Sequence, residues 1–315
     1  MIDYISIITP VYNGGKLLKR LYDSLELQDN KHFTWIIIDD GSTDNTQEII
    51  NSIEQSASFE VKSERVKNGG KQRAINAAFS LYPNYPFYLI IDCDEVLPRN
   101  SIHDVIEKVK MYEMRADIGA IYGWRKIKND QKNLKKVENR PRTDKIMNIY
   151  ERIEFGNEYG DGIIGYYNRL IKSCQFVVYP GEKYVGEITL LQKAAIENIA
   201  PKIVYIDDII SEGEYTDGGL TSQGRKLRIR NPLGMIYYSY LMQSEMNKSN
   251  ALRVKHAIGA QAYASIHNIG KEKLREVGIP ETALKWWAKI PGILLGLYWT
   301  KKCDIVTKKR RTGAN

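Results

Sequence analysis

The first hundred residues alternate between short apolar segments and segments with apolar residues at helical spacing. The apolar segments are rich in β-branched and aromatic residues and predict buried strands at Tyr4–Thr9, Phe33–Ile38, Phe59–Ser63 and Phe87–Ile91. Between them, leucines, isoleucines and alanines recur three or four residues apart, which predicts helices. Strands that alternate with helices form βαβ units, so we expect an α/β fold with a mainly parallel sheet.

Polar residues follow three of these strands directly. They are Pro10–Asn13 after the first strand, Asp39–Asp40 after the second, and Asp92–Asp94 after the fourth. Ligands of open α/β sheets bind in the crevice outside the carboxyl ends of the strands. We therefore expect the three clusters to open onto one ligand-binding crevice.

Asp92 and Asp94 form an Asp-x-Asp pair, which is the strongest single motif. Carboxylate oxygens are the hard ligands that Mg²⁺ and Mn²⁺ prefer. A metal ion held there would bridge a diphosphate and offset the charge that develops on a leaving phosphate. Asp-x-Asp is also common in turns that bind nothing. The apolar strand before the pair directs it out of the core, which favours the metal site.

Asp39 and Asp40 admit a local role and a ligand-binding role. Thr43 or Asp44 can cap the helix that follows. Capping explains only one acid, so one of the two acids before Gly41 is expected to accept a hydrogen bond from a ligand, such as a base N–H.

The turn Asn68–Gly70 precedes a helix predicted over Lys71–Leu81. Glycines let a backbone approach a ligand closely, and the N-terminus of a helix favours an anion. Lys71 and Arg73 would add charge-assisted hydrogen bonds to phosphate. A plain glycine turn before a helix explains the same residues equally well.

The order and spacing of these motifs resemble the family 2 glycosyltransferases with a GT-A fold, over roughly residues 4–100. The segments that carry the resemblance are Ile7–Asn13, Ile37–Asp44, Lys71–Asn76 and Asp92–Asp94. The resemblance implies a Rossmann-like, mostly parallel mixed sheet flanked by helices, with a helical C-terminal extension. It also implies a nucleotide-sugar donor, with a UDP-sugar favoured, a divalent cofactor (Mn²⁺ or Mg²⁺), and inversion at the anomeric carbon.

The resemblance also assigns roles to single residues. The donor-binding residues that it implies are Thr9, Pro10, Tyr12, Asp40, Lys71, Arg73, Asp92 and Cys93. Pro10 and Tyr12 would line the base, and Asp40 would read its N3–H. Asp94 would be the metal ligand, with Asp92 beside it.

A weaker similarity continues after residue 115. The segments Gly160–Asp161, Gly181–Glu187, Glu214–Ser222 and Arg230–Gly234 resemble bacterial members that build surface polysaccharides of the capsule, exopolysaccharide, teichoic acid or O-antigen type. Many relatives place a general base at the position of Glu187, often within a Glu-Asp pair. Here the pair is Glu187-Ile188, so Glu187 is the candidate base and Asp161 is the alternative. A base is needed because the acceptor hydroxyl loses its proton as it attacks.

We predict a GT-A catalytic domain over residues 1–225, with a nucleotide-sugar half (1–115) and an acceptor half (116–225), and a helical C-terminal region over 226–315. Within the acceptor half, a helix is expected over Glu187–Ile199 and a loop over Gln131–Lys145 that could serve as an acceptor-side lid.

The net charge of +8 is concentrated at the C-terminus, where residues 285–315 hold eight Lys and Arg residues and one acid. The remaining chain is nearly neutral, which disfavours a nucleic-acid partner. The apolar segment Trp286–Trp299 is shorter than the ~20 residues of a membrane-spanning helix. With its cations, the tail (about 285–311) predicts binding to an anionic membrane surface; a helix packed on the body is the alternative.

The sequence also bears on location and on rival functions. The N-terminus lacks a signal-peptide pattern and the three cysteines fit a reducing compartment, so we expect a cytoplasmic protein at the inner face of the cell membrane. An inactive nucleotide-sugar-binding or scaffolding subunit is the main rival, and the retained Asp92, Asp94 and Glu187 argue against it. The sequence does not select between a hexose and an N-acetylhexosamine, and the acceptor, a glycan or lipid-linked glycan, stays open.

Overall fold

The computed structural model describes residues 4–151, 161–214 and 220–303, without the side chains of 220–222. By their contacts these residues form two units. The first contains residues 1–176 and 190–217, and the second contains residues 177–189 and 218–315. The observed division thus differs from the predicted boundary after residue 225, because residues 177–189 group with the C-terminal helices. The assignment of catalytic and C-terminal domains stays a prediction.

The first unit alternates strands and helices as its sequence predicts. The strands are β1 (Ile5–Val11), β2 (Phe33–Asp39), β3 (Glu60–Arg65), β4 (Phe87–Ile90), β5 (Ile118–Ile127), β6 (Lys145–Asn148), β7 (Gly162–Tyr167) and β8 (Lys202–Gly213). The helices are α1 (Gly15–Glu26), α2 (Thr46–Ser56), α3 (Lys71–Leu81), α4 (Ser101–Tyr112), α5 (Gln131–Glu138), α6 (Asn168–Ile171) and α7 (Thr189–Ile196).

The eight strands form one sheet in the order β3-β2-β1-β4-β7-β5-β8-β6. The pairs β1–β2, β1–β4, β2–β3 and β5–β8 are parallel, whereas β7 runs antiparallel to β4 and β5, and β6 runs antiparallel to β8. The carboxyl ends of β1, β2 and β4 therefore lie at one edge, as predicted. This α/β architecture with a mostly parallel sheet confirms the expected fold class.

The central strands are buried on both faces, which explains their nearly continuous apolar sequences. On one face, alternate residues such as Ile7, Trp35 and Leu89 join the core formed with α1, α2 and α4. On the other face, Ile8 and Ile36 are also fully buried. This packing fixes the register of the strands, and thereby the positions of the polar residues that follow them.

Two predictions about secondary structure are wrong. The segment Gln131–Lys145 is not a loop, because it contains α5 and the first residue of β6. The Asp130 carboxylate caps α5 by accepting hydrogen bonds from the N–H groups of Lys132 and Asn133, and Val137 is buried. The helix predicted over Glu187–Ile199 is also shorter: α7 begins at Thr189, so Glu187 precedes it.

The second unit is helical. Its elements are α8 (Leu220–Arg230), α9 (Pro232–Met242), α10 (Asn250–His267), α11 (Lys271–Glu276), two short 3₁₀ turns (Glu281–Ala283 and Trp286–Ala288) and α12 (Lys289–Lys302). Its core includes Ile236, Leu241 and Tyr263. Across the described residues, no helix is both long and apolar enough to span a bilayer.

Helix α12 has two different faces. Gly292 and Gly296 are buried, and a Cβ on Gly292 would lie 2.3 Å from Cβ of Gln261 in α10. The close approach of α10 and α12 therefore needs glycine. The other face exposes Ile290 (72%), Leu294 (63%) and Leu297 (64%). The basic residues Lys308, Lys309, Arg310 and Arg311 of the predicted tail lie outside the described residues.

Candidate functional site

The two acids after β2 have different roles in the structure. Oδ1 of Asp39 accepts a hydrogen bond from the Ser42 N–H at 2.7 Å, and its Oδ2 lies 3.6 Å from Nε of Arg65. Asp39 is 1% exposed, so these contacts stabilise the turn after β2 from the protein interior. Asp44 accepts from the Thr46 N–H at 3.1 Å. Asp39 and Asp44 therefore stabilise the turn after β2. Asp40 instead faces the loop that contains Gly69 and Gly70.

The Asp40 carboxylate binds the glycine turn. Oδ1 accepts from the Gly69 N–H at 2.7 Å and Oδ2 from the Gly70 N–H at 2.8 Å. The Asn68 side-chain amide donates to the Asp40 carbonyl at 2.7 Å. The φ of Gly70 is +92°, a conformation that favours glycine, and α3 begins at the next residue. Asp40 therefore joins the end of β2 to the N-terminus of α3.

Lys71 connects this turn with the Asp-x-Asp pair. Its ammonium nitrogen lies 2.6 Å from Oδ1 and 2.7 Å from Oδ2 of Asp92. The Lys71 side chain is only 13% exposed. The Arg73 side chain lies against Gly69, where a Cβ would be 2.3 Å from Cδ of Arg73. The structure thus brings Asp40, Lys71 and Asp92 into one cluster, as the sequence predicts.

Asp94 and Cys93 are half-buried. Burial raises the pKa of Asp94, the nearby Asp92 raises it further, and the Arg125 guanidinium partly offsets both effects. Burial, with the charges of Asp92 and Asp94, raises the pKa of the Cys93 thiol to about 12. A raised pKa disfavours the thiolate form of Cys93.

A divalent cation would fit the donor set of this turn. Asp92 and Asp94 supply hard oxygen ligands, and a cation would relieve the repulsion that raises the pKa of Asp94. Across the described ranges, no group of three or more His, Cys, Asp and Glu side chains is placed to hold a metal ion. The two carboxylates would therefore hold a cation only together with other oxygen ligands, such as those of a diphosphate.

The last residues of β1 and those that follow it form the remaining part of the edge. Tyr12 is 52% exposed and Pro10 is half-buried, so both can contact a ligand. Asn13 holds this segment against the loop after β2, because its Oδ1 accepts from the Thr43 N–H at 2.7 Å. Thr9 differs from them: it is fully buried, and its hydroxyl accepts from the Trp35 indole N–H at 2.9 Å. This core contact accounts for Thr9 without a ligand.

The two candidate bases lie in different units. Asp161 directly precedes β7 in the first unit, and its Oδ2 lies 3.7 Å from Nη1 of Arg125. Glu187 belongs to the second unit and is exposed. Glu182, a few residues earlier, accepts from the N–H groups of Leu233 and Gly234 at 2.7 and 2.8 Å, which anchors this segment to the N-terminus of α9. The choice between the two bases stays a prediction.

A buried ion pair lies next to the Asp-x-Asp turn, and the sequence motifs did not predict it. Glu95 is 1% exposed, and its Oε1 lies 2.6 Å from Nη2 of Arg125 on β5. Burial raises the pKa of Glu95 to about 7, although the Arg125 charge lowers it. Arg125 lies 30 residues further along the chain, and no spacing rule connects it to the motif. In the sequence, the position of Glu95 directly after Asp94 is the one feature that points to this pair.

Comparison with known proteins identifies the family of this fold and site. The sequence model described as "Glycosyl transferase family 2" matches residues 6–168, just over half of the chain. The glycosyltransferase GlyG of Streptococcus pneumoniae is 28% identical over 130 residues, which are 39% of this chain and 41% of GlyG. The poly-β-1,6-N-acetyl-D-glucosamine synthase of Staphylococcus aureus is 23% identical over 237 residues, 75% of this chain and 50% of the synthase. The chain thus spans half or less of the length of these relatives.

Solved structures share the fold. The crystal structure of S. aureus TarS residues 1–349 with UDP-GlcNAc matches with a TM-score of 0.58 at 16% identity, over 95% of this chain and 90% of that one. The mannosyltransferase PcManGT of Pyrobaculum calidifontis, solved with GDP-Man and Mn²⁺, matches with a TM-score of 0.53 at 14% identity, over 94% of this chain and 87% of that one. These matches confirm the expected GT-A fold.

Proposed function

The chain belongs to glycosyltransferase family 2, and on that premise we propose that it transfers a sugar from a nucleotide-sugar donor to a hydroxyl group of a glycan, with inversion at the anomeric carbon. The observation that carries the proposal is the cluster of Asp40, Lys71, Asp92 and Asp94 at the carboxyl edge of the sheet. It joins a glycine-rich helix N-terminus and a lysine, which favour phosphate, to two carboxylates that would hold the divalent cation of a nucleoside diphosphate.

A UDP-sugar is the proposed donor, with an N-acetylhexosamine as the first sugar to test. The support is that TarS, which shares the fold, was solved with UDP-GlcNAc, and that the curated TarS is named a poly(ribitol-phosphate) β-N-acetylglucosaminyltransferase. In the proposed complex, Pro10 and Tyr12 line the base and Asp40 accepts its N3–H. Lys71 and Arg73 would contact the diphosphate.

The leaving nucleotide is stabilised by charge rather than by an acid. Asp92 and Asp94 would hold Mn²⁺ or Mg²⁺, which supplies positive charge to the diphosphate when it is bound. The Lys71 ammonium is fixed close to the same position and adds a second charge. Lys71 contacts both oxygens of Asp92, so a cation held by Asp92 would share that carboxylate with Lys71.

Glu187 is the proposed general base, with Asp161 as the alternative. The test compares Glu187→Gln with Asp161→Asn in sugar transfer and in donor binding. We expect Glu187→Gln to lower kcat by roughly 10²–10⁴-fold with donor affinity retained, since a positioned base contributes that much. If Asp161→Asn alone has this effect, the base is Asp161. If both variants keep wild-type kcat, neither carboxylate is the base.

The acceptor is proposed to be a glycan or lipid-linked glycan of bacterial surface polysaccharide synthesis. The relatives support this class, because the synthase is named for poly-β-1,6-N-acetyl-D-glucosamine and TarS for poly(ribitol-phosphate). Release of UDP from UDP-GlcNAc, UDP-glucose and UDP-galactose, measured with and without such acceptors, tests it. Acceptor-stimulated UDP release supports the proposal, and hydrolysis that no glycan stimulates contradicts the acceptor class.

Helix α12 is proposed to bind an anionic membrane at the cytoplasmic face. Its apolar residues Ile290, Leu294 and Leu297 are exposed together, and the cations Lys301 and Lys302 lie at its end. An apolar face flanked by lysines is typical of a helix that lies in the membrane interface.

Sedimentation with vesicles of phosphatidylglycerol or phosphatidylcholine tests this binding. We expect wild-type protein to bind the anionic vesicles, and Leu294→Glu to abolish the binding. Leu27→Glu is the matched control, because Leu27 is 68% exposed in the first unit. Absence of wild-type binding to either vesicle would overturn the proposal, and self-association measured by light scattering would assign the apolar face to a second copy of the chain.

A further inference from the structure

We propose that Arg125 is a positioning residue of the donor site, which fixes the Asp92–Asp94 turn through Glu95 and joins that turn to Asp161. The proposal rests on the proposed function, because it concerns how the same site is held for donor binding. It assigns a role to two buried charged residues that the sequence motifs do not include. All of the residues involved belong to the first unit.

Arg125 contacts both sides of the site. Its Nη2 lies 2.6 Å from Oε1 of Glu95, and its Nη1 lies 3.7 Å from Oδ2 of Asp161. The Arg125 N–H also donates to the Asp161 carbonyl at 3.1 Å. The guanidinium side chain is 12% exposed and the Glu95 side chain 1%. Arg125 is therefore a buried cross-link between the residue after Asp94 and the residue before β7.

The absence of a side chain at Gly213 leaves room for the Arg125–Glu95 ion pair. A Cβ on Gly213 would lie 2.8 Å from Nη2 of Arg125 and 3.2 Å from Oε2 of Glu95. Any larger residue at position 213 would displace the ion pair. Next to it, Val96 and Glu212 exchange two backbone hydrogen bonds of 2.9 and 2.8 Å. The end of the Asp-x-Asp turn is thus held by β8 through its backbone and by β5 through Arg125.

A contribution to folding stability does not by itself explain the Arg125–Glu95 ion pair. Replacing a buried ion pair by apolar residues is often neutral or stabilising, so loop anchoring does not require one. A positive charge at this position has a further effect, since Asp92, Asp94 and Glu95 place three carboxylates within four residues. Lys71 faces the first of them, and Arg125 faces the third. Fixed charges on both sides keep the turn in one conformation before the donor binds.

The test compares Arg125→Met and Arg125→Lys with the control Arg115→Met. Arg115 forms an exposed ion pair with Asp117 in the same unit and is not part of the site. The measurements are kcat, the KM for the UDP-sugar, the Mn²⁺ concentration that gives half-maximal rate, and the melting temperature with and without UDP and Mn²⁺. The binding measurements separate positioning from stability.

We expect Arg125→Met to lower kcat/KM by about 10–100-fold, as loss of groups that orient metal ligands typically does. It should also raise the half-maximal Mn²⁺ concentration and reduce the increase in melting temperature caused by UDP and Mn²⁺. Arg125→Lys keeps the charge but cannot contact Glu95 and Asp161 as a fork, so an intermediate loss is expected. It also serves as the test if Arg125→Met does not fold. Arg115→Met should behave as wild type.

A double variant tests whether Arg125 acts through Glu95. If it does, Arg125→Met combined with Glu95→Gln should lose little more than Arg125→Met alone. Folded Arg125 variants with wild-type donor and Mn²⁺ constants, or additive losses in the double variant, would overturn the proposal. Failure of the proposed function is distinguishable, because wild-type protein itself would then show no transfer and no response to UDP and Mn²⁺.

Discussion

The Lys71 ammonium nitrogen lies 2.6 Å from Oδ1 of Asp92 and within 2.7 Å of Oδ2, although the two residues are 21 positions apart in the sequence. The contact joins the N-terminus of α3 to the Asp-x-Asp turn after β4. Because Lys71 is mostly buried and Asp92 is 42% exposed, the pair presents its carboxylate side to the open edge of the sheet. This contact holds the Lys71 ammonium behind the Asp92 carboxylate, close to the position proposed for the diphosphate.

Replacement of Lys71 by Met should therefore impair catalysis more than folding. We expect kcat to fall by about 10²–10³-fold, because a fixed charge that stabilises a developing anion contributes that much. The melting temperature should change little, since the pair is partly exposed to solvent. Initial rates of UDP release and thermal melts measure both. Lys67→Met, an exposed lysine before the same turn, is the control, and a Lys71→Met rate within threefold of wild type would contradict the assignment.

Replacement of Asp40 by Asn should weaken both the fold and nucleotide binding. The carboxylate accepts hydrogen bonds from two neighbouring backbone N–H groups, and an amide can accept only one of them without placing its NH₂ against the other. Loss of one such bond to a charged group costs about 1.5–3 kcal/mol. Denaturant unfolding measures the loss. Asp23→Asn on the exposed face of α1 should have no comparable effect, and equal stabilities of the two variants would refute the role of Asp40.

The strands and their functional ends could be predicted because burial on both faces leaves a simple signal. Ile7, Ile36 and Leu89 lie in nearly continuous apolar segments, and each segment ends at polar residues of the proposed site. Local contacts could be predicted in type but not in partner. For the Asp39–Asp40 pair we predicted one structural and one ligand-binding acid; the structure shows that Asp40 binds the Gly69–Gly70 turn, and its binding of a ligand stays a prediction.

The sequence-based predictions fail where contacts between distant segments determine the local structure. Gln131–Glu138 is too polar to indicate a buried helix face, yet the Asp130 cap and the burial of Val137 are enough to form α5. Arg125 and Glu95 were not assigned because an ion pair across 30 residues leaves no periodic pattern. The helix predicted from Glu187 begins instead at Thr189, whose N–H and hydroxyl both donate to the Gly186 carbonyl.

His256 should make the stability of the protein depend on pH. Burial in the second unit lowers its pKa to about 4, and the charges of Lys255 and Arg228 act in the same direction. Since the pKa in the unfolded chain is about 6.5, the unfolded state binds more protons between pH 4 and 6.5. The contribution of His256 to stability is therefore complete above pH 6.5 and falls as the pH decreases through this window, by about 2–3 kcal/mol.

Unfolding free energies of His256→Gln and of the exposed-site control His32→Gln, measured from pH 4 to pH 7, test this dependence. The His256 variant should lose part of the decrease at low pH, whereas the His32 variant should keep it. If both variants follow the wild-type curve, His256 does not control the acid sensitivity.

Substitution of Gly292 by Ala should destabilise the packing of α12. The new Cβ would lie 2.3 Å from Cβ of Gln261 and 3.0 Å from the carbonyl oxygen of Ile258, so α12 would have to move away from α10. A loss of about 1–3 kcal/mol is expected, as for other overpacked contacts. Gly270→Ala is the control, because nothing lies within 4 Å of a Cβ there. Thermal melts that rank the two variants equally would show that α12 does not pack through Gly292.

The central claim is that Asp40, Lys71, Asp92 and Asp94 form a nucleotide-sugar site, and a thermal-shift comparison tests it most directly. UDP-, GDP-, CMP- and dTDP-sugars are each added with Mn²⁺ and with EDTA, to wild-type protein and to Asp94→Ala. A ligand at 100 times its Kd stabilises the native state by about 2.7 kcal/mol. The account predicts that UDP-sugars with Mn²⁺ raise the melting temperature by several degrees, and that EDTA or Asp94→Ala removes the increase. An unchanged melting temperature with every nucleotide sugar would contradict it.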